Sequence, residues 1–105
     1  SDVGSIFIID DNENLCGIVS RKDLLKATIG SNDINNMPIG MIMTRMPNVV
    51  TINKNDDIIL AAKKIIEHEV DSIPVIEHDD KNQVKVIGRM SKTNITKLFL
   101  ELADN

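Results

Sequence analysis

The stretch GIVSRKDL, Gly17–Leu24, decides the fold of this chain, because it occurs a second time as GRMSKTNI, Gly88–Ile95. The two copies share the pattern Gly-x-x-Ser-x-x-Asp/Asn. This pattern resembles a capping box, in which a serine and a residue three positions later satisfy free backbone N–H groups at the start of a helix. We therefore expect each copy to contain a strand that ends at the serine and a helix that begins directly after it.

A second pair of matching segments precedes these two motifs. Val3–Asp10 (VGSIFIID) matches Val70–Glu77 (VDSIPVIE), and both are apolar runs that end in an acidic residue, typical of buried strands. The second copy has four extra residues between its two matching segments. Because loops tolerate insertions better than strands do, we assign the extra residues to the turn EHDDKNQ, Glu77–Gln83.

The second copy also has a leading strand and a leading helix. Val49–Ile52 is a β-branched run that predicts a short strand, and Asp56 or Asp57 is the expected N-cap of the following helix. The residues expected to face the core are Ile58, Ile59, Ala62, Ile65 and Ile66 on this helix, and Ile95, Leu98, Phe99 and Leu102 on the last helix.

One complete repeat is therefore β-α-β-β-α, and the first repeat lacks its leading strand and helix. The predicted fold class is α/β (α+β), with a partial first repeat over residues 1–36 and a linker plus complete second repeat over residues 37–105. We expect the chain to be a fragment whose missing strand and helix were removed or come from another molecule. Apolar surface left exposed by their absence would favour oligomerisation.

Composition limits the class of protein. The 105 residues are 42% hydrophobic, enough for a core, whereas the net charge of −4 and the 2% of aromatic residues argue against a basic, base-stacking nucleic-acid surface. The single cysteine, Cys16, lies in an apolar run and is interpreted as a buried small hydrophobe. No run has the length of a membrane span and no signal segment is present, so we expect a cytoplasmic location and no membrane partner.

The repeat resembles the cystathionine-β-synthase (CBS) domain, a regulatory module that occurs in tandem pairs and binds adenine nucleotides or related ligands between its two halves. The segments VGSIFIID, GIVSRKDLLKATIG, MIMTRMPNVVT, AAKKIIEHEVDSIPVIE and GRMSKTNITKLFLEL are most similar to the CBS pair of the repressors of gluconeogenic genes from Gram-positive bacteria. That resemblance implies a DNA-binding domain elsewhere in the parent chain, and hence contact with DNA only through a domain that these residues do not contain.

The resemblance also implies ligand-binding residues. The acid of the motif binds ribose hydroxyls in this family and the serine approaches sugar or phosphate, which assigns these roles to Asp23 and Ser20. In the second copy, Ser91 and Asn94 hold the same positions, and Asn94 lacks the negative charge. Two such helix starts would open toward one shared cleft, where free N–H groups and the basic side chains of Arg21 and Lys92 favour phosphate.

Adenine needs an apolar slot, which the resemblance places near Met43 and Thr44 and near Ser72, Ile73 and Pro74. The other methionines of this region, Met37, Met41 and Met46, are interpreted as core filler. His68 and His78 have no recognisable metal-ligand spacing, and Cys16 has no evident base, so we expect no metal site and no catalytic residues.

The sequence therefore predicts a non-enzymatic sensor that requires no cofactor, binds an adenine nucleotide as a regulatory ligand, forms a homodimer and controls an attached repressor domain. Two alternatives stay open. The chain could be an assembly module that holds no ligand, in which case Ser20 and Asp23 only cap a helix, or it could be the regulatory CBS pair of an enzyme or transporter.

Overall fold

The computed structural model describes residues 4–30 and 33–104, so the predicted start of the first repeat, residues 1–3, lies outside the described residues. The described chain forms two compact units, one of residues up to Val49 and one of residues from Val50 onward. The mixed architecture and the two related units confirm the predicted fold class. The predicted boundary between residues 36 and 37 divides sequence repeats and stays a prediction.

The first unit is an antiparallel sheet with one helix. Its strands are β1 (Ser5–Ile9), β2 (Leu15–Ser20) and β3 (Thr44–Arg45), in the order β1-β2-β3. Helix α1 (Arg21–Gly30) follows β2 without a loop, and two single 3₁₀ turns (Ile34–Asn36 and Ile39–Met41) lead to β3. Cys16 is a free, half-buried cysteine of β2, less buried than the sequence suggested.

The second unit repeats this hairpin and helix and adds the leading elements. Its elements are β4 (Ile52–Asn53), α2 (Ile58–His68), β5 (Ser72–His78), β6 (Val84–Ser91) and α3 (Lys92–Ala103). β4 is parallel to β5, and β5 is antiparallel to β6. The core of this unit consists of buried residues from all of these elements except β6, namely Ile52, Ala61, Ala62, Ile65, Ile73 and Ile95.

Helix α2 buries a narrower face than predicted. Its core-facing residues are Ile58, Ala61, Ala62 and Ile65, which follow the i, i+3, i+4, i+7 spacing of one helical stripe. Ile59 and Ile66 were expected in the core but are 53% and 72% exposed, because each lies one residue, about 100° of rotation, beyond the stripe.

Helix α3 places only the beginning of its apolar stripe in the core. Ile95 is buried and Leu98 is half-buried, as predicted. Phe99 and Leu102 are 40% and 58% exposed in the chain, so the expectation that they face the core is wrong. Periodicity gives the direction of an apolar stripe, but the length of stripe that is covered depends on the neighbouring elements.

The four extra residues of the second repeat lengthen its strands and leave the turn unchanged. β5 and β6 have 7 and 8 residues, whereas β1 and β2 have 5 and 6. In both hairpins the turn begins at an aspartate, Asp10 or Asp79, whose Oδ1 accepts hydrogen bonds from the N–H groups two and four residues ahead. The prediction that the turn absorbs the extra residues is therefore wrong. Adding two residues to each strand preserves the face to which every side chain points.

Candidate functional site

Both predicted capping boxes are present at the helix starts. In the first unit, the N–H of Asp23 donates to Ser20 Oγ at 3.2 Å, and Asp23 Oδ2 accepts from the N–H of Ser20 at 2.8 Å. In the second unit, the corresponding bonds between Ser91 and Asn94 are both 3.0 Å long. Each box satisfies two backbone N–H groups at its helix start, so the local role suggested by the sequence is confirmed.

The two boxes differ in what remains available for a ligand. Asn94 Oδ1 also accepts a hydrogen bond from Ser91 Oγ at 2.7 Å, and the Asn94 residue is exposed. Asp23 is half-buried and uses Oδ2 for the cap, while its Oδ1 has no hydrogen-bond partner among the described residues. A carboxylate oxygen accepts two hydrogen bonds and carries negative charge, so Asp23 can bind a pair of hydroxyl groups while it caps α1.

Asp23 is one of the residues that line a pocket within the first unit. The pocket has a volume of about 350 Å³ and is lined by residues of α1 and of the segment that follows it, Asp23, Lys26, Ala27, Gly30, Met37, Met41 and Ile42. An acidic and a basic residue thus line the pocket together with apolar ones, a combination typical of small-molecule sites. The volume is at the small end of the range of such sites, ~300–1,000 Å³.

Three residues that line this pocket were not predicted from the sequence to contact a ligand, namely Lys26, Met37 and Met41. Lys26 had no signal of its own, because a lysine on an exposed helix turn is ordinary. Met37 and Met41 were interpreted as core filler, yet Met37 is only half-buried and Met41 is 72% exposed. A sequence signal did exist, since both methionines follow the motif helix in a segment rich in apolar residues.

The predicted residues Met43 and Thr44 pack on β2. Thr44 belongs to β3 and is opposite Ile18 of β2 in the antiparallel register. Its carbonyl oxygen comes so close to Gly17 that a Cβ atom at that glycine would lie 2.5 Å away, and Met43 Sδ would lie at 3.1 Å. Neither residue lines the pocket beside Asp23.

The predicted residues Ser72, Ile73 and Pro74 lie at the start of β5, and all three side chains are buried. The Ile73 side chain belongs to the core of the second unit. Ser72 Oγ accepts a 2.8 Å hydrogen bond from Nη1 of Arg89, a residue that the sequence did not single out. Partial burial lowers the pKa of the Arg89 guanidinium.

The predicted basic residues Arg21 and Lys92 are the first residues of α1 and α3, and both are exposed. Their backbone N–H groups donate to the carbonyl oxygens of Gly4 at 3.2 Å and of Asp71 at 2.8 Å. The first N–H of each helix therefore has a partner inside the chain. The capping box occupies the third N–H, so an anion at either helix start would meet mainly the basic side chain.

Residues 4–30 and 33–104 contain neither a metal-site cluster nor a membrane-spanning helix. No group of three or more His, Cys, Asp or Glu side chains comes together as a metal site would require. No helix in this part of the chain has the length and apolar character needed to span a membrane.

Comparison with known proteins gives a consistent family match. The family model of the CBS domain matches residues 1–30 and 36–101. Among solved structures, the CBS domain pair of protein MJ0100, in complex with 5′-methylthioadenosine and S-adenosyl-L-methionine, superposes with a TM-score of 0.75 at 28% sequence identity. The match covers 96% of this chain and 73% of that chain.

Two curated relatives carry the same module in different proteins. The transcriptional repressor CcpN of Bacillus subtilis is 44% identical over 104 residues, 99% of this chain and 49% of the repressor. The homoserine O-acetyltransferase of Methanosphaera stadtmanae is 37% identical over 92 residues, 88% of this chain and 17% of the enzyme. The chain thus spans about half of the repressor and a small part of the acetyltransferase.

Proposed function

Given that the chain belongs to the CBS domain family and is a regulatory CBS pair, we propose that it senses an adenine nucleotide of the ATP, ADP or AMP kind. One observation carries this proposal. Asp23 lines the first unit's pocket, and its Oδ1 has no hydrogen-bond partner among the described residues. The solved CBS pair that binds two adenosine derivatives at 28% identity supports an adenosine-type ligand.

The pocket offers a partner for each part of such a ligand. Asp23 Oδ1 accepts hydrogen bonds from the two ribose hydroxyls, and the Lys26 ammonium pairs with phosphate. The adenine ring packs against apolar side chains such as Met37 and Ile42, whose flexible or branched surfaces fit a flat ring. Ser20 and Arg21 at the same helix start complete the proposed sugar-phosphate contacts.

The other residues predicted from the sequence lie in β3 and the segment before it, at the start of β5 and at the start of α3. Thr44 of β3 and Met43, the residue before β3, would contact the ligand from the same segment. In the second unit, Ser72, Ile73 and Pro74 have buried side chains, so a ligand bound to that unit would contact their backbone groups. Ser91, Lys92 and Asn94 form a second helix start, where the neutral amide gives weaker hydroxyl binding than a carboxylate does.

A regulatory output requires that the nucleotide bind two conformations of the longer protein with different affinities. The repressor relative supports a DNA-binding domain as the regulated partner. We further propose that the chain forms a homodimer through its CBS modules. The acetyltransferase relative supports the alternative that the regulated domain is an enzyme. A module that only assembles chains is the second candidate function, favoured by exposed apolar residues on α2 and α3 such as Ile66 and Leu100.

The experiment is calorimetric titration of the chain with ATP, ADP and AMP, using Asp23→Asn as the test variant. Asn94 shows that an asparagine keeps both capping bonds, so this variant removes the charge and retains the helix cap. We expect the dissociation constant to rise about tenfold, because hydrogen bonds to charged groups are stronger by ~1–1.5 kcal/mol than neutral ones. Asn94→Asp is the matched control and should not weaken binding.

Two results would contradict the proposal. One is the absence of binding by all three nucleotides, which would favour the assembly module. The other is nucleotide binding that Asp23→Asn leaves unchanged, which would place the ligand elsewhere. The melting temperature of each variant, measured without ligand, verifies that the fold is intact.

A further inference from the structure

Gly17 and Gly88 hold the same position in the two hairpins but have different surroundings. Gly17 is paired with Ile8 and Gly88 with Val75, and in each hairpin the register shifts directly after this pair. Gly17 is buried, and a Cβ atom there would lie 2.5 Å from the Thr44 carbonyl oxygen. Gly88 is exposed, and a Cβ atom there would meet only Val75, at an ordinary contact distance of 3.7 Å. Nothing within the described chain therefore requires a glycine at position 88.

The residue before each glycine shows the same contrast. Cys16 and Ile87 are the bulge residues that the pairing of the two hairpins skips. The Cys16 carbonyl accepts a 2.9 Å hydrogen bond from the N–H of Met46, which continues β3 along β2. Ile87 is 47% exposed, and among the described residues no strand pairs with the outer edge of β6. The second hairpin thus presents the edge that β3 covers in the first.

We propose that the outer edge of β6 around Gly88 is a docking edge for an extended segment of the same polypeptide that lies outside these 105 residues. The segment runs antiparallel to β6, as Thr44–Arg45 runs along β2. It places a backbone carbonyl over Gly88 and a backbone N–H at the Ile87 carbonyl. Only glycine leaves space for so close a carbonyl, which accounts for the residue at position 88.

Two observations favour this occupant over others. In the first unit the equivalent edge is covered by the chain itself, and the repressor relative has about twice the length of this chain, which leaves room for such a segment. A second copy is disfavoured, because antiparallel pairing of two β6 strands about Ile87 would place Lys85 opposite Arg89 of the other strand. Like charges directly opposite each other destabilise a strand pair.

The test is Gly88→Ala in this chain and in the longer polypeptide that contains its flanking residues. In this chain the methyl group has space, so we expect a melting temperature that is unchanged or slightly raised. In the longer polypeptide the methyl group meets the docked segment, and the melting temperature should fall by at least about 2 °C. Gly17→Ala is the positive control and should lower the melting temperature in both forms.

Amide hydrogen exchange gives an independent measurement, since residues of β6 near Gly88 should exchange more slowly in the longer polypeptide than in this chain. An equal effect of Gly88→Ala in both forms, or no effect in the longer one, would overturn the proposal. Analytical ultracentrifugation of this chain tests whether a second copy occupies the edge. A dimer that Gly88→Ala dissociates would show that it does, and the proposal would be wrong.

Discussion

The hydroxyl oxygen of Ser72 lies 2.8 Å from Nη1 of Arg89 and accepts its hydrogen bond across the β5–β6 pair. Ser72 is 1% exposed, so this bond satisfies a buried polar group at the position where the sequence predicted a ligand contact. The side chain of Ser72 is therefore committed to the fold, which limits any contribution to a ligand to its backbone.

Ser72→Ala should lower the free energy of unfolding by ~0.5–1.5 kcal/mol, since it removes the hydrogen bond from Arg89 to the Ser72 hydroxyl. The nucleotide dissociation constant should stay unchanged. Urea denaturation and calorimetric titration of the same preparation measure both quantities. An affinity loss with unchanged stability would show instead that the hydroxyl contacts the ligand.

Ile65 and Ile66 are adjacent on α2 and should respond very differently to truncation. Ile65 is 2% exposed and belongs to the core, whereas Ile66 is 72% exposed. Ile65→Ala should cost ~2–5 kcal/mol of unfolding free energy, and Ile66→Ala less than ~0.5 kcal/mol. Chemical denaturation of the two variants is the measurement. A large loss from Ile66→Ala would indicate that another molecule covers this residue in solution.

Asp57, and not Asp56, should carry the cap of α2. Asp57 Oδ1 accepts from the N–H of Leu60 at 2.9 Å, whereas Asp56 Oδ2 accepts from the N–H of Asn53 in the turn before the helix. Asp57→Ala should lower the free energy of unfolding by about 1 kcal/mol, and Asp57→Asn, which keeps the acceptor, should restore most of it. A failure of asparagine to restore stability would count against the capping role.

Asp79 should stabilise the β5–β6 turn in a pH-dependent way. The hydrogen bond from the backbone N–H of Gln83 is the main cause that lowers the pKa of this carboxyl from its ordinary 3.8. A lowered pKa in the folded state means that the stabilisation is present above pH 3.8 and is lost as the pH falls through the folded-state pKa.

The unfolding midpoint of Asp79→Ala in urea should therefore be lower than that of the unaltered chain at neutral pH, and the two should converge in acid. Asp80→Ala, at the exposed neighbouring position, is the control for loss of a charge alone. The unfolding midpoints of the unaltered chain and Asp79→Ala could instead differ by the same amount at neutral and at acid pH. That result would mean that the carboxylate charge is not involved.

Local chemistry made much of this structure predictable. The capping boxes at Ser20 and Ser91 involve groups three residues apart, and the order of strands and helices follows from apolar runs and their periods, so both could be inferred without tertiary contacts. The candidate site was only partly predictable. Asp23 followed from its motif, but Lys26 and Met41 join it in a pocket because the segment after α1 folds back onto the helix.

The sequence by itself determined the duplication, the two capped helix starts and the place of Asp23 at one of them, because these depend on residues close together along the chain. Only the tertiary structure decided that Ile66 is exposed, that four extra residues lengthen β5 and β6, and that Gly17 is covered while Gly88 is open. The physical reason is that burial depends on what lies across from a residue in space, and a one-dimensional pattern specifies a face without specifying its neighbour.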